Sequence, residues 1–195
     1  MTLDWFDSIE EAIRAGPRLV HGSDEFNRAC GHICQLLEDA ALLFQKGSHG
    51  TTTFLAITAI EETVKAHLGL FRSAEKLETP RKKDPLFQHR SKHKLASSPT
   101  IAMGSRLDNA IGSGRTEILL DEARAGVFVC LRESALYFAN KGDVLSVPQE
   151  VVSRERAREI LLFAIEAFDD SIVGYTKHSF ELGERLTVVF DLVAG

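Results

Sequence analysis

The 195-residue chain has little of several things that would place it in a special class. It contains three cysteines, two methionines and one tryptophan. Three thiols cannot all pair, and their spacing outlines no disulfide framework. No apolar run approaches the ~18–20 residues that cross a bilayer. The opening Met1-Thr2-Leu3-Asp4-Trp5 lacks the basic-then-apolar order of a secretory signal. The expectation is therefore a cytoplasmic protein with no membrane partner. Positive charge is also in short supply. The net charge of −5 argues against a protein that coats nucleic acid with its whole surface. Strands alternating with helices and repeats of 20–50 residues are both missing, which speaks against parallel α/β folds and solenoids.

What remains is the composition of an ordinary globular protein, 44% hydrophobic and 26% charged. The length suits one domain over 1–195, with a core over about 23–178, large enough to fold without disulfides or a structural metal. Charge is unevenly spread. Arg72–Lys94 holds eight basic residues against Glu75, Glu78 and Asp84, a local +5 that leaves −10 for the rest. A solvated loop and a polyanion-binding patch both fit that segment.

Five prolines divide the chain into long stretches of helical periodicity. A short helix is expected over Asp4–Ala15, with Trp5, Ile9 and Ile13 inward and Gly16-Pro17 as its stop. Long helices are expected over Ser23–Lys46, Thr51–Phe71, Asp121–Phe138 and Ser153–Tyr175. Ser23 would cap the first, and Gly47 would end it. A short helix is expected near His89–Leu95. Ser97–Gly114 reads as loop, and Leu186–Val193 as helix end or strand. The fold class is all-α, a four-helix bundle with extra short helices.

The second long helix carries the sharpest chemical signal. On a helical wheel Glu61 falls in the middle of the stripe of Phe54, Ile57, Val64 and Leu68. Lys65, at i+4, is the first candidate partner. A carboxylate on a buried face is either a structural ion pair or a tuned site. In the basic connector His89 and His93 share a helical face, with Lys92 close by. They fit phosphate contacts or proton transfer, fit zinc less well without an HExxH pattern, and as exposed loop residues need do neither. Cys30 and Cys34 join the apolar stripe of their helix while His32 points away, which favours packing over ligation. Arg132 and Tyr137 stand near the expected end of the third helix, where an arginine can bind phosphate or cap.

These segments resemble the AbiV family of abortive-infection proteins, related to the helical HEPN superfamily. The carrying residues are His49–Ala66, which contain Glu-Glu-x-x-Lys at Glu61, Glu62 and Lys65. Phe87–Lys92 follows with His-x-x-Lys, and Leu131–Tyr137 with Leu-Arg-Glu…Leu-Tyr. The resemblance implies a HEPN-like bundle, a homodimer and a part in anti-phage defence. Many HEPN proteins are metal-independent ribonucleases that use Arg-x(4–6)-His. Here Tyr137 stands five residues after Arg132 where a histidine would be, so enzyme status is open. The site expected on this basis has His89, Arg132, Glu61 and Lys65 as catalytic groups. Glu62, Lys92, His93 and Tyr137 would hold an RNA substrate, with no metal and no cofactor. The alternative is a non-catalytic sensor or scaffold that binds a phage or host protein.

Overall fold

The computed structural model describes residues 3–73, 80–97, 105–142 and 144–195. The Trp5 side chain and Glu75, Lys76, Glu78 and Pro99 lie outside the described residues. Ten α-helices are described: α1 Leu3–Arg14, α2 Gly22–Gln45, α3 His49–Leu70, α4 His89–Ala96, α5 Ser105–Ile111, α6 Ser113–Ala125, α7 Val127–Ser134, α8 Pro148–Val151, α9 Arg154–Ile172 and α10 Lys177–Ala194. Two 3-10 turns, Arg81–Lys83 and Pro85–Phe87, lead into α4. Strands β1 (Ala139–Lys141) and β2 (Val144–Ser146) form an antiparallel hairpin with Ala139 opposite Ser146.

The fold is all-α. Its central helix is α3, which packs on α2 and α9, while α10 closes against the same two helices. Helix α3 is buried nearly all round, and eight of its thirteen buried positions are small: Gly50, Thr52, Thr53, Ala56, Ala59, Thr63, Ala66 and Gly69. Small side chains let neighbouring backbones approach, and a helix covered on every side needs no polar face. Its Ile57 and Ile60 share the core with Leu37, Phe163, Phe168 and Phe190. Arginines fasten the outer helices. Arg106 grips Glu166 and Arg115 grips Glu159, tying α5 and α6 to α9. Arg158 donates to the carbonyls of Ala110, Val193 and Ala194.

Helices α1, α2, α3 and α9 lie within a few residues of the expected bounds. Ser153 accepts the Arg156 N–H at 3.1 Å and caps α9. Ser23 does not cap α2; His21 holds that position, and its N–H is taken by the Glu25 carboxylate at 2.8 Å. The expected helix over Asp121–Phe138 is two helices. Gly126, at φ +83°, ends α6 in the left-handed region and starts α7 in a new direction. Phe128 and Ala135 are buried, whereas Val127 and Phe138 of the expected stripe are exposed. The stretch read as loop holds α5 and the start of α6, and the apolar tail belongs to α10. The fourth long member of the bundle is thus α10, packed on α2 and α9.

Candidate functional site

Positioning of the site begins away from it. Arg72, just beyond α3, is fully buried and binds Asp84 through two contacts of 2.7 and 2.5 Å. Its Nε donates to the Ala12 carbonyl at 2.9 Å, and Asp84 accepts the Leu86 N–H at 2.9 Å. A paired, fully hydrogen-bonded guanidinium can be buried; an unpaired one cannot. The clamp joins α1, the end of α3 and the turn that starts α4. Gly16 is part of it, because a Cβ there would lie 2.8 Å from Arg72 Nη1.

Helix α4 crosses α3 so that His89, Lys92 and His93, at i, i+3 and i+4, all meet Glu61. His89 Nδ1 lies 2.7 Å from both carboxylate oxygens. Lys92 Nζ donates to Oε2 at 2.7 Å, and His93 Nε2 lies 2.9 Å from Oε1. Arg132, on α7, brings its Nε to 3.9 Å from Oε1, an ion pair without a hydrogen bond. Glu61 is 2% exposed. Burial pushes its carboxyl upward, but His93, Lys92 and His89 together outweigh burial and hold it down at about 2. It is a fixed negative charge.

The cluster has a dry side and a wet side. His93 is fully buried with its ring edge-on to Phe128, 5.8 Å between centroids, and Phe128 in turn meets Phe163 at 5.9 Å. Lys92 is buried as well. These two groups serve the carboxylate and cannot reach a ligand. His89 is different: its side chain is 48% exposed, with Nδ1 engaged by Glu61. Arg132 is partly exposed, its guanidinium 4.6 Å above the Phe54 ring. Its buried Nε has no hydrogen-bond partner among the described residues. A ligand approaching from solvent would meet His89 and Arg132.

The expected pairing of Lys65 with Glu61 does not form. Lys65 Nζ contacts both carboxylate oxygens of Glu62, at 2.7 and 2.5 Å. Glu61 and Glu62 diverge by ~100° around the helix, and Lys65 can follow either. Glu61 is already saturated by α4, so Lys65 goes to Glu62. That pair borders a cavity of about 170 Å³ between α2 and α3, away from the Glu61 carboxylate. Tyr137 lies beyond the end of α7 and is 64% exposed. Of the expected site residues, Glu61, His89, Lys92, His93 and Arg132 therefore converge, and Glu62, Lys65 and Tyr137 stand apart. Sequence reasoning missed Phe54 and Phe128 as walls of the site, although the wheel put Phe54 in the same stripe as Glu61. The Arg72–Asp84 clamp was missed too, hidden among the surface-like charges of the connector.

Cys30 and Cys34 are buried. Burial drives the Cys30 thiol up to about 12 and, with Glu38 beside it, the Cys34 thiol to about 11. Both are packing groups. Among the described residues no three His, Cys, Asp or Glu are arranged to hold a metal ion. No helix there is long and apolar enough to cross a membrane.

The described residues form an all-α bundle, as the HEPN class of helical domains does. The AbiV family model matches residues 26–167, most of the chain and all of the cluster, and the chain belongs to that family. No curated protein and no solved structure matches it.

Proposed function

We propose that this AbiV-family protein acts in bacterial abortive infection as a metal-independent ribonuclease, with His89 as the base and Arg132 as the phosphate contact. The observation that carries the reading is the Glu61–His89 pair. A buried carboxylate engages Nδ1 of a half-exposed imidazole, so the neutral ring carries its proton on Nδ1 and Nε2 is its basic nitrogen. Glu61 itself is a poor base, being buried, saturated with donors and held near 2. In the proposed reaction His89 Nε2 takes the proton of a ribose 2′-hydroxyl. The 2′-oxygen forms a bond to the adjacent phosphorus, the bond from phosphorus to the 5′-oxygen breaks, and a proton returns to that oxygen. The products are a 2′,3′-cyclic phosphate and a 5′-hydroxyl. Arg132 meets the charge that develops on the phosphoryl oxygens. Lys92 and His93 keep Glu61 ionised and aimed, and act through it.

The family also supports a homodimer, in which the sites of two protomers would act on one RNA. In cells, His89→Ala, Arg132→Ala and Glu61→Ala should each abolish phage protection at normal protein levels, with RNA fragmentation lost in parallel. Retained protection in all three would refute the site. Protection lost in the variants, with no RNA cleavage by the wild type even when its phage trigger is present, would instead identify a sensor that binds a phage or host protein.

A further inference from the structure

The first turn of α3 and the segment that follows α7 enclose a second feature that the cluster at Glu61 does not use. Gly50 lets them meet: a Cβ there would lie 2.7 Å from the Ala135 carbonyl oxygen and 2.9 Å from Pro148 Cβ. Beside this contact is a cavity of about 270 Å³, bordered by Ser48, Thr51, Phe138, Pro148 and Gln149. Three of these side chains can donate or accept hydrogen bonds: Ser48 Oγ donates to Thr51 Oγ1 at 3.3 Å, which leaves the Thr51 hydroxyl hydrogen free to donate, and Gln149 is exposed. The first N–H groups of α3 open at the same place, since the first intrahelical bond there runs from Thr52 N–H to Ser48.

One side of the cavity is apolar, formed by Leu136, Phe138, Val147 and Pro148. Phe138 is 70% exposed, next to Tyr137 and Leu136, and the hairpin adds exposed Val144 and Leu145. Scattered exposed apolar residues need no explanation, but Leu136 and an exposed Phe138 ring that border a hollow give a flat ligand a face to rest on. The hairpin, paired from Ala139–Ser146 to Lys141–Val144, holds these residues out of the core.

The cavity and the Glu61 cluster lie on one helix pair. Helix α7 runs beside α3, with Arg132 over Phe54 and the Ala135 carbonyl at Gly50. Thr51 and Glu61 are ten residues apart on α3, about 15 Å at 1.5 Å per residue. One strip therefore presents the Arg132 guanidinium and the His89 imidazole at one end and an aromatic, hydrogen-bonding hollow at the other. The matching ligand is a chain that carries anions and flat heterocycles at separate points along its length. We infer that this cavity is a base-recognition pocket for single-stranded RNA, in which an unpaired base stacks on Phe138 and is read at its edge by Gln149, Ser48 and Thr51. The inference rests on the RNA reading above and adds the substrate class: unpaired RNA with a base preference a few nucleotides from the scissile phosphate. Aromatic stacking accepts every base, so the selectivity would come from the polar edge.

The test is an amide NMR titration of the full chain carrying His89→Ala, which prevents cleavage, with single-stranded hexaribonucleotides of each base. Shifts are expected at the Gly50 and Thr51 amides and at the Gln149 side-chain amide, largest for one base. Phe138→Ala or Gln149→Ala, both at exposed positions, should weaken binding tenfold or more without changing the circular dichroism. Shifts confined to α4 and Arg132, no shifts with any oligomer, or unchanged affinity in both variants would overturn the inference. So would a dimer that Phe138→Ala dissociates while no RNA shifts the pocket, which would make this face a protein contact. The two readings fail separately. Pocket shifts without cleavage by the wild type would sink the ribonuclease alone. Cleavage whose base preference survives Phe138→Ala and Gln149→Ala would sink the pocket alone.

Discussion

Replacing Glu61 by Gln removes the one charge that the cluster is built around, and the structure sets the size of the effect. The carboxyl is lowered from 4.5 to about 2. At about 1.4 kcal/mol per unit, that shift corresponds to roughly 3 kcal/mol of preference for the ionised folded form. The substitution also strands Lys92, which is 6% exposed and whose hydrogen bond goes to Glu61. Breaking a buried pair by removing one member costs about 3–5 kcal/mol. Glu61→Gln should therefore lower the unfolding free energy at pH 7 by about 3–5 kcal/mol, read from urea titrations followed by circular dichroism. The pH dependence has a definite sign. Because the folded carboxyl lies below its unfolded value, its contribution is complete above pH 4.5 and drains away as pH falls toward 2. The gap between wild type and Glu61→Gln should narrow over that window. Adding Lys92→Met should recover part of the loss, since the stranded ammonium is then gone. A gap under 1 kcal/mol at pH 7, or one that stays flat from pH 5 to 2.5, would refute the reasoning.

Other expectations follow from single contacts. Asp84→Ala leaves Arg72 buried without its carboxylate and should destabilise the chain by about 3–5 kcal/mol, measured in the same way. Gly50→Ala should cost about 1–3 kcal/mol through overpacking against Ala135 and Pro148, read as a lower Tm. Nitrogen NMR of the neutral His89 ring should show the Nδ1–H tautomer in the wild type and lose that bias in Glu61→Gln; an Nε2–H tautomer in the wild type would contradict the assigned role. Iodoacetamide at pH 8 should modify exposed Cys130 in the native protein and all three thiols in urea, and native labelling of Cys30 or Cys34 would count against their burial.

Where a helix has an unbroken apolar stripe, its extent is legible in the residues. Phe26 to Phe44 and Ala157 to Ile172 mark α2 and α9 because burial repeats at helical spacing along both. The third helix misled because Val127, Phe128 and Leu131 continue the pattern across Gly126. A glycine in the middle of a stripe is compatible with a helix and with a left-handed break, and only the tertiary path selects φ +83°. The site was legible in part for a related reason. That Glu61 needed a partner followed from its place in the stripe; which partner did not. Local spacing favoured Lys65, but α4 arrives from 28 residues away with three donors on one face. The same holds for Arg72, an ordinary connector arginine in the sequence. It is buried only because Asp84, Ala12 and Gly16 assemble around it.

Single-turnover cleavage of end-labelled single-stranded RNA by the purified protein, with the chemistry of the new ends determined, tests the central claim most directly. The account predicts 2′,3′-cyclic phosphate and 5′-hydroxyl ends. His89→Ala and Arg132→Ala should be slowed by roughly 100-fold or more, the low end of what one acid–base or oxyanion contact supplies. Lys65→Ala, whose ammonium belongs to Glu62, should cleave at close to the wild-type rate. Cleavage that survives His89→Ala, or ends of any other chemistry, would contradict it.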